Sequence, residues 1–293
     1  MMMKCRICPR KCNAIRDKSG NNGGVCKAGI LPRVARAGLH TFEEPYISGK
    51  NGSGTVFFSG CSLGCVYCQN EIISHKNFGK DVSVQRLADI FKELTDSGAH
   101  NINLVTPTHF SYAIKQALDI YRPPMPIIYN TSGYELPEII RSLENYVDVY
   151  LFDLKYLNGD LALKYSGAPD YPEYATAAIL EAYRQKSECK FENGLIKSGV
   201  VIRHLLLPSA TVDAISVFDF VHKNTPNAYF SIMSQYVPMG NAVSMPPINR
   251  RVTEREYNKV LEHIIHSGFK NCYFQEISSA DTCYIPIFDL SGV

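Results

Sequence analysis

The sequence predicts an α/β fold in which parallel strands form an open partial barrel or a doubly wound sheet. Three observations predict it. From about residue 54 onward, six short β-type runs alternate with segments of helical period. The runs are nearly continuous in apolar residues, as strands covered on both faces should be. Polar residues gather where the runs end, the edge that bears the site in either fold. Six units are too few to close an eight-stranded barrel and too regular to be separate domains.

The strands and helices follow in order. Residues 55–59 form the first strand. Ser83 then caps a helix in which Val84, Leu87, Ala88, Phe91 and Leu94 share one face, and Gly98 ends it. Strands at 102–106 and 127–130 follow, and Pro137 suits the first turn of the next helix. Strands at 149–153, 200–207 and 229–235 complete the six. Thr253 and Glu256 form a capping-box pattern ahead of Tyr257, Val260, Leu261, Ile264 and Ile265, with Gly268 as the stop. Two domains are expected, a four-cysteine N-terminal extension over 1–42 and a barrel domain with a C-terminal helix and tail over 43–293. Within the extension, Gly20-Asn21-Asn22-Gly23-Gly24 reads as a loop.

A chain of 293 residues with 45% hydrophobic and 20% charged residues can bury a sizeable core and is not disordered, collagenous or coiled-coil. No apolar run approaches the ~20 residues that span a bilayer. The start, Met1-Met2-Met3-Lys4-Cys5, lacks the apolar stretch of a secretion signal, so a cytoplasmic location is expected. Net charge is +2, yet residues 1–36 carry nine Lys and Arg against Asp17 alone. That asymmetry reads either as a face for RNA or an acidic partner, or as compensation for thiolate metal sites.

In a reducing cytosol, ten cysteines point to metal binding or catalysis rather than disulfides. Cys189, Cys272 and Cys283 stand alone and read as small buried hydrophobes. Cys61, Cys65 and Cys68 follow the first strand, and Gly60 and Gly64 let their loop wrap closely around a bound centre. Three thiolates on a [4Fe–4S] cluster leave one iron open to an exogenous molecule. The alternatives are zinc, completed by His75, or buried thiols without metal. Cys5, Cys8, Cys12 and Cys26 form a closed tetrad, which suits structural zinc or a second [4Fe–4S] cluster.

The CxxxCxxC spacing, with Tyr67 before the third cysteine, resembles the signature of the radical S-adenosylmethionine (SAM) superfamily. Further stretches are similar to the pyruvate formate-lyase activating enzyme branch and its uncharacterised relatives. They are Gly52-Ser53-Gly54-Thr55-Val56-Phe57-Phe58-Ser59-Gly60-Cys61, Asn130-Thr131-Ser132-Gly133, Asp148-Val149-Tyr150-Leu151-Phe152-Asp153-Leu154-Lys155 and Ile202-Arg203-His204-Leu205-Leu206-Leu207-Pro208. The resemblance covers roughly residues 43–240. It implies a partial (β/α)6 barrel of parallel strands, a [4Fe–4S] cluster on Cys61, Cys65 and Cys68, and SAM chelating the open iron.

Roles follow from the same resemblance. Tyr67 lies near the adenine; Asn130, Thr131 and Asp153 lie near the SAM carboxylate and ribose. Lys155 and Arg203 supply charge for the carboxylate, and Gln235 and Tyr236 make a further SAM contact. A structural pairing of Asp153 with Lys155 or Arg203 is the competing reading. The relatives' Gly-Gly-Glu motif is replaced here by Asn103-Leu104-Val105-Thr106-Pro107-Thr108-His109. Thr106 and the following carbonyls can substitute as acceptors, and His109 contacts SAM or substrate, or is a helix-capping or core residue. The implied activity is reductive cleavage of SAM to a 5′-deoxyadenosyl radical, fed by a flavodoxin or ferredoxin and used to activate a glycyl radical enzyme. The alternatives are a maturase acting on another peptide, an RNA or a small molecule, and a non-catalytic iron–sulfur or zinc protein.

Overall fold

Strand order decides between the two sheet architectures. The computed structural model describes residues 3–17, 20–275 and 286–293. Its main sheet contains β1 (Arg33–His40), β2 (Ser53–Phe58), β3 (Ile102–Val105), β4 (Ile127–Thr131) and β5 (Val149–Asp153). It continues through β6 (Leu195–Leu205), β7 (Tyr229–Met233) and β8 (Cys272–Phe274). From β2 to β8 each strand pairs in parallel with the next in the chain, and β1 joins β2 antiparallel. Right-handed crossovers between strands in unbroken order put the connecting helices on one face of the sheet. A doubly wound sheet needs a reversal of order, so the winding is that of a partial barrel.

All six expected strands are present, and three features differ from expectation. β8 is a seventh parallel strand, too short at three residues to show a period. β1 lies within the stretch assigned to the extension, so the main sheet begins before residue 43. Gly20–Asn22, expected as loop, pairs antiparallel with Ile15–Asp17, because backbone groups make a ladder whatever the side chains.

The helix signals are realised as read. The Ser83 hydroxyl accepts from the Arg86 N–H at the start of Val84–Asp96. Pro137 occupies the first turn of Pro137–Ser142, and Thr253 with Glu256 forms a complete capping box on Glu254–His266.

The period of two along each strand separates an outer face from an inner one. On β5, Tyr150 and Phe152 pack with Ala175, Ala178 and Ile179 of the helix Tyr171–Gln185. Val149 and Leu151 point the other way, where Ile128, Val201 and Ile47 join them. Ile47, from the short helix Pro45–Ser48, fills the lower part of the inner face. Asp153 continues the inward series on β5, and Arg203 stands beside it in register on β6. The inner face is thus apolar low down and charged at the strand ends. Residues 286–293 return to the opposite edge from β8, where Leu290 N–H and Ser291 O bond to Ala35 and Ala37 of β1. No helix among the described residues is long and apolar enough to cross a membrane.

Candidate functional site

A cavity of about 250 Å³ opens at the carboxyl ends of the parallel strands. Cys61, Cys65, Cys68 and Tyr67 line it from the loop after β2. Thr106, Asn130, Thr131, Asp153, Lys155 and Arg203 line it from the ends of β3 to β6, and Gln235 and Tyr236 follow β7. One predicted site residue is elsewhere. His109 is outside the cavity lining and buried with Nε2 2.7 Å from the Ser59 carbonyl, and burial pushes it down to about 3, an arrangement that favours the core reading over the substrate reading.

Each thiol of the loop has its own polar neighbour. Leu63 N–H donates to Cys61 Sγ at 3.4 Å, Ser166 Oγ lies 3.0 Å from Cys65 Sγ, and Ser74 Oγ lies 3.2 Å from Cys68 Sγ. Burial pushes the Cys61 and Cys68 thiols up, and the adjacent Cys65 adds to it. Ionising such thiols needs a bound cation. Among the described residues no three His, Cys, Asp or Glu side chains gather where one ion could hold them, and His75 does not line the cavity. Three thiols lining one cavity are the donor set that a [4Fe–4S] cluster takes when one iron is left open. Gly60 is required here: at φ +87°, a Cβ would lie 2.3 Å from the Cys26 carbonyl oxygen.

Below the thiols lies an ion cluster centred on Arg203. Its Nε donates to Asp153 at 2.9 Å, Nη1 to Glu43 at 3.0 Å and Nη2 to Asn130 at 2.9 Å, with Glu44 at 3.7 Å. Lys155 Nζ donates to the other Asp153 oxygen at 3.0 Å. Both pairings of the competing structural reading are therefore present. Burial opposes each charge, but Arg203 and Lys155 hold Asp153 below the usual carboxylate range. Asp153 and then Cys65 hold Lys155 above the usual amine range, against the same burial. Lys155 is the cation beside the cysteine loop, whereas Arg203 directs all three of its nitrogens into the protein.

Three carboxylates, the half-buried Glu43 and the buried Glu44 and Glu135, are not marked by the sequence. Glu43 and Glu44 precede Pro45, a pattern that also marks an exposed helix start. Burial pushes Glu44 up to about 7, with Arg203 acting against it. Glu135 accepts from Thr108 and Thr131 and lies 3.5 Å from Tyr129 OH, and burial raises it to about 7 as well. Its spacing from Thr131, four residues on, was the one available signal.

The N-terminal tetrad packs against this site. Cys5, Cys8 and Cys26 are buried and Cys12 is half-buried. Burial pushes Cys8 up to about 12, helped by Cys26 and Cys5, and raises Cys26, which also feels Cys5 and Cys12. Electrostatically Cys8 and Cys26 feel Cys5, and Cys26 also feels Cys12, with Arg16 Nη1 4.0 Å from Cys5 Sγ, but the four thiols are not gathered where a single ion could hold three of them. Much of the basic charge of the extension is engaged internally. Arg10 bonds the carbonyls of Ser62, Ser166 and Gly167, Arg16 those of Ala28 and Gly29, and Arg33 pairs with Asp81. Cys189 and Cys272 are half-buried against the core, and Cys283 lies outside the described residues.

The sequence pattern of the Radical SAM superfamily matches residues 55–220, more than half of the chain. The chain belongs to that superfamily. An uncharacterized protein of Methanocaldococcus jannaschii, MJ0674, is 31% identical over 270 residues, covering 88% of this chain and 73% of that one. Among solved structures, Streptococcus suis SuiB bound to S-adenosylmethionine matches with a TM-score of 0.52 at 12% identity, over 74% of this chain and 48% of SuiB. SuiB bound to its precursor peptide SuiA matches with a TM-score of 0.51 at 11% identity, over 74% of this chain and 47% of SuiB. This chain spans about half the length of SuiB, and the likeness is one of fold. Membership of the radical SAM superfamily implies SAM and a [4Fe–4S] cluster as cofactors and a need for a reductant.

Glu135 gives the fold a pH dependence. Its folded value of about 7 lies above the ordinary 4.5, so the fold carries no penalty from it below about pH 4.5 and loses stability as pH rises towards 7. Glu135→Gln removes that loss. Melting temperatures from pH 4.5 to 7 should move in favour of the variant as pH rises; parallel curves for the two proteins contradict the assignment.

Proposed function

We infer that this radical SAM enzyme cleaves SAM reductively at a cluster held by Cys61, Cys65 and Cys68 and passes a 5′-deoxyadenosyl radical to its substrate. The observation that carries the reading is the convergence of those three thiols and the Lys155 ammonium on one cavity. When bound, the cluster supplies one electron to the sulfonium, whose C5′–S bond breaks to leave methionine and the radical. The chain's own residues bind and orient SAM. Lys155 meets its carboxylate, because one N–H bonds Asp153 and the ammonium has two more to give. Arg203 serves SAM indirectly, by fixing Asp153, Asn130 and Glu43 in place. Thr106, held at φ +58°, and Thr131 supply polar atoms to the same wall. Tyr67, against the edge of Tyr236 at 5.8 Å, offers a ring for the adenine. Leu205, Met233, Val237 and Met239 make the wall that keeps water from the radical.

Activation of a glycyl radical enzyme, with a flavodoxin or ferredoxin as reductant, is the finer reading. It is supported by the resemblance to the pyruvate formate-lyase activating enzyme branch. A metal on Cys5, Cys8, Cys12 and Cys26 is a further expectation of the sequence, and iron and zinc per folded chain distinguish zinc, a second cluster and no metal there.

Anaerobically reconstituted protein, reduced in the presence of SAM, should form 5′-deoxyadenosine, and Cys61→Ala, Cys65→Ala and Cys68→Ala should each abolish it. Product from any one of the three overturns the cluster assignment. Lys155→Ala should weaken SAM binding by roughly one to two decades, the worth of a charge-assisted bond of ~1.5–3 kcal/mol. Arg203→Ala should mainly lower the melting temperature of the SAM-free protein. Calorimetric titration beside thermal melting reads both, and an unchanged SAM affinity in Lys155→Ala contradicts the contact.

A further inference from the structure

Three buried hydroxyls connect the cavity wall to one of the loop cysteines. Tyr67 OH is hydrogen-bonded to Tyr156 OH, Tyr156 OH lies 3.1 Å from Ser166 Oγ, and Ser166 Oγ lies 3.0 Å from Cys65 Sγ. All four residues are buried, and Tyr67 lines the cavity. A thiolate ligand has lone pairs and no proton, which fixes the direction of every bond. Ser166 gives its single proton to Cys65. Tyr156 therefore donates to Ser166, and Tyr67 donates to Tyr156, so each hydroxyl donates once and none is left over.

The middle of this chain is held from two sides. Ser166 ends the helix Gly159–Ser166, and Gly167 turns left-handed at φ +59°. Arg10 donates to the Gly167 carbonyl at 2.6 Å and to the Ser166 carbonyl at 3.3 Å, while the Val66 N–H bonds Tyr165 O at 2.9 Å. The helix end is thus stitched to the cysteine loop. Cys61 and Cys68 have other neighbours, a backbone N–H and Ser74.

Resting on the reading that Cys61, Cys65 and Cys68 hold the cluster, we propose that Tyr67, Tyr156 and Ser166 form a directional hydrogen-bond relay. It raises the reduction potential of the cluster through Cys65 and makes that potential respond to what lies against Tyr67. A hydrogen bond to a ligand sulfur stabilises the extra negative charge of the reduced cluster and so raises its potential. Hydroxyls in a chain polarise one another, so a ligand that packs against Tyr67 alters the bond at the far end. Ser166 and Tyr156 are positioning residues in this scheme.

The test is a dithionite redox titration of the full chain, reconstituted with iron and sulfide, with and without SAM. It follows the paramagnetic resonance signal that Cys65→Ala abolishes. In the wild type, the midpoint should move on adding SAM. Ser166→Ala should shift it to a more negative potential, and Ser166→Thr, which keeps the hydroxyl, should restore it. Tyr156→Phe should keep the cluster and show a smaller response to SAM. Equal midpoints in the wild type and Ser166→Ala overturn the relay, as does an undiminished SAM response in Tyr156→Phe. If Ser166→Ala loses its cluster, Tyr156→Phe decides alone. A wild-type signal that survives in Cys65→Ala refutes the functional reading itself, a result distinct from failure of the relay.

Discussion

A guanidinium buried inside a sheet must be answered by charge, and in this protein the answer organises the site. Arg203 draws Asp153 from β5, Asn130 from β4 and Glu43 from the segment ahead of Pro45–Ser48 onto one group. Losing any one partner leaves a charge or dipole stranded in a medium that solvates it poorly. Three chain segments distant in sequence are thereby locked at the carboxyl ends of adjacent strands. The cavity takes its shape from that lock, and Lys155 takes its place through Asp153. Below it, Ile47 and its apolar neighbours fill the space where a polar group would find no partner.

The parts of the fold legible in the sequence are those whose signal is local. β5 could be read because Val149 to Phe152 are buried on both faces, and Glu254–His266 because its capping box precedes one apolar stripe. β8, with three residues, carries no period to read. β1 mixes Arg33 and Arg36 with small apolar residues and so carries no clear strand signal of its own, and its place is fixed by pairing with β2. The cysteine loop was legible because a metal's demands fix spacing within ten residues. Glu44 and Glu135 were not, since a carboxylate's burial is a property of everything packed around it. For the same reason the sequence leaves His109 open between a site role and a core role, and its burial against the Ser59 carbonyl favours the core.

The two cysteine groups, separate in sequence, are one structural unit. The Cys26 carbonyl lies against Gly60, next to Cys61, and Arg10, between Cys8 and Cys12, grips the Ser62 carbonyl at 2.9 Å inside the second loop. The charge excess of the extension thus has internal uses that weaken the case for a nucleic-acid face. Arg10, Arg16 and Arg33 hold carbonyls, a thiol and Asp81, and Arg36 bonds the Ile287 carbonyl. The extension thus packs directly against the Cys61–Cys68 loop.

The central claim is that the cavity brings SAM onto the one cluster iron that the chain does not ligate. Electron–nuclear double resonance on the reduced, reconstituted protein, with SAM labelled by carbon-13 in its carboxylate, tests this directly. The account predicts a hyperfine coupling between the labelled carboxylate and the cluster, seen in a smaller fraction of the clusters at equal sub-saturating SAM concentration in Lys155→Ala. A cluster fully present, with SAM bound and no such coupling, would contradict it.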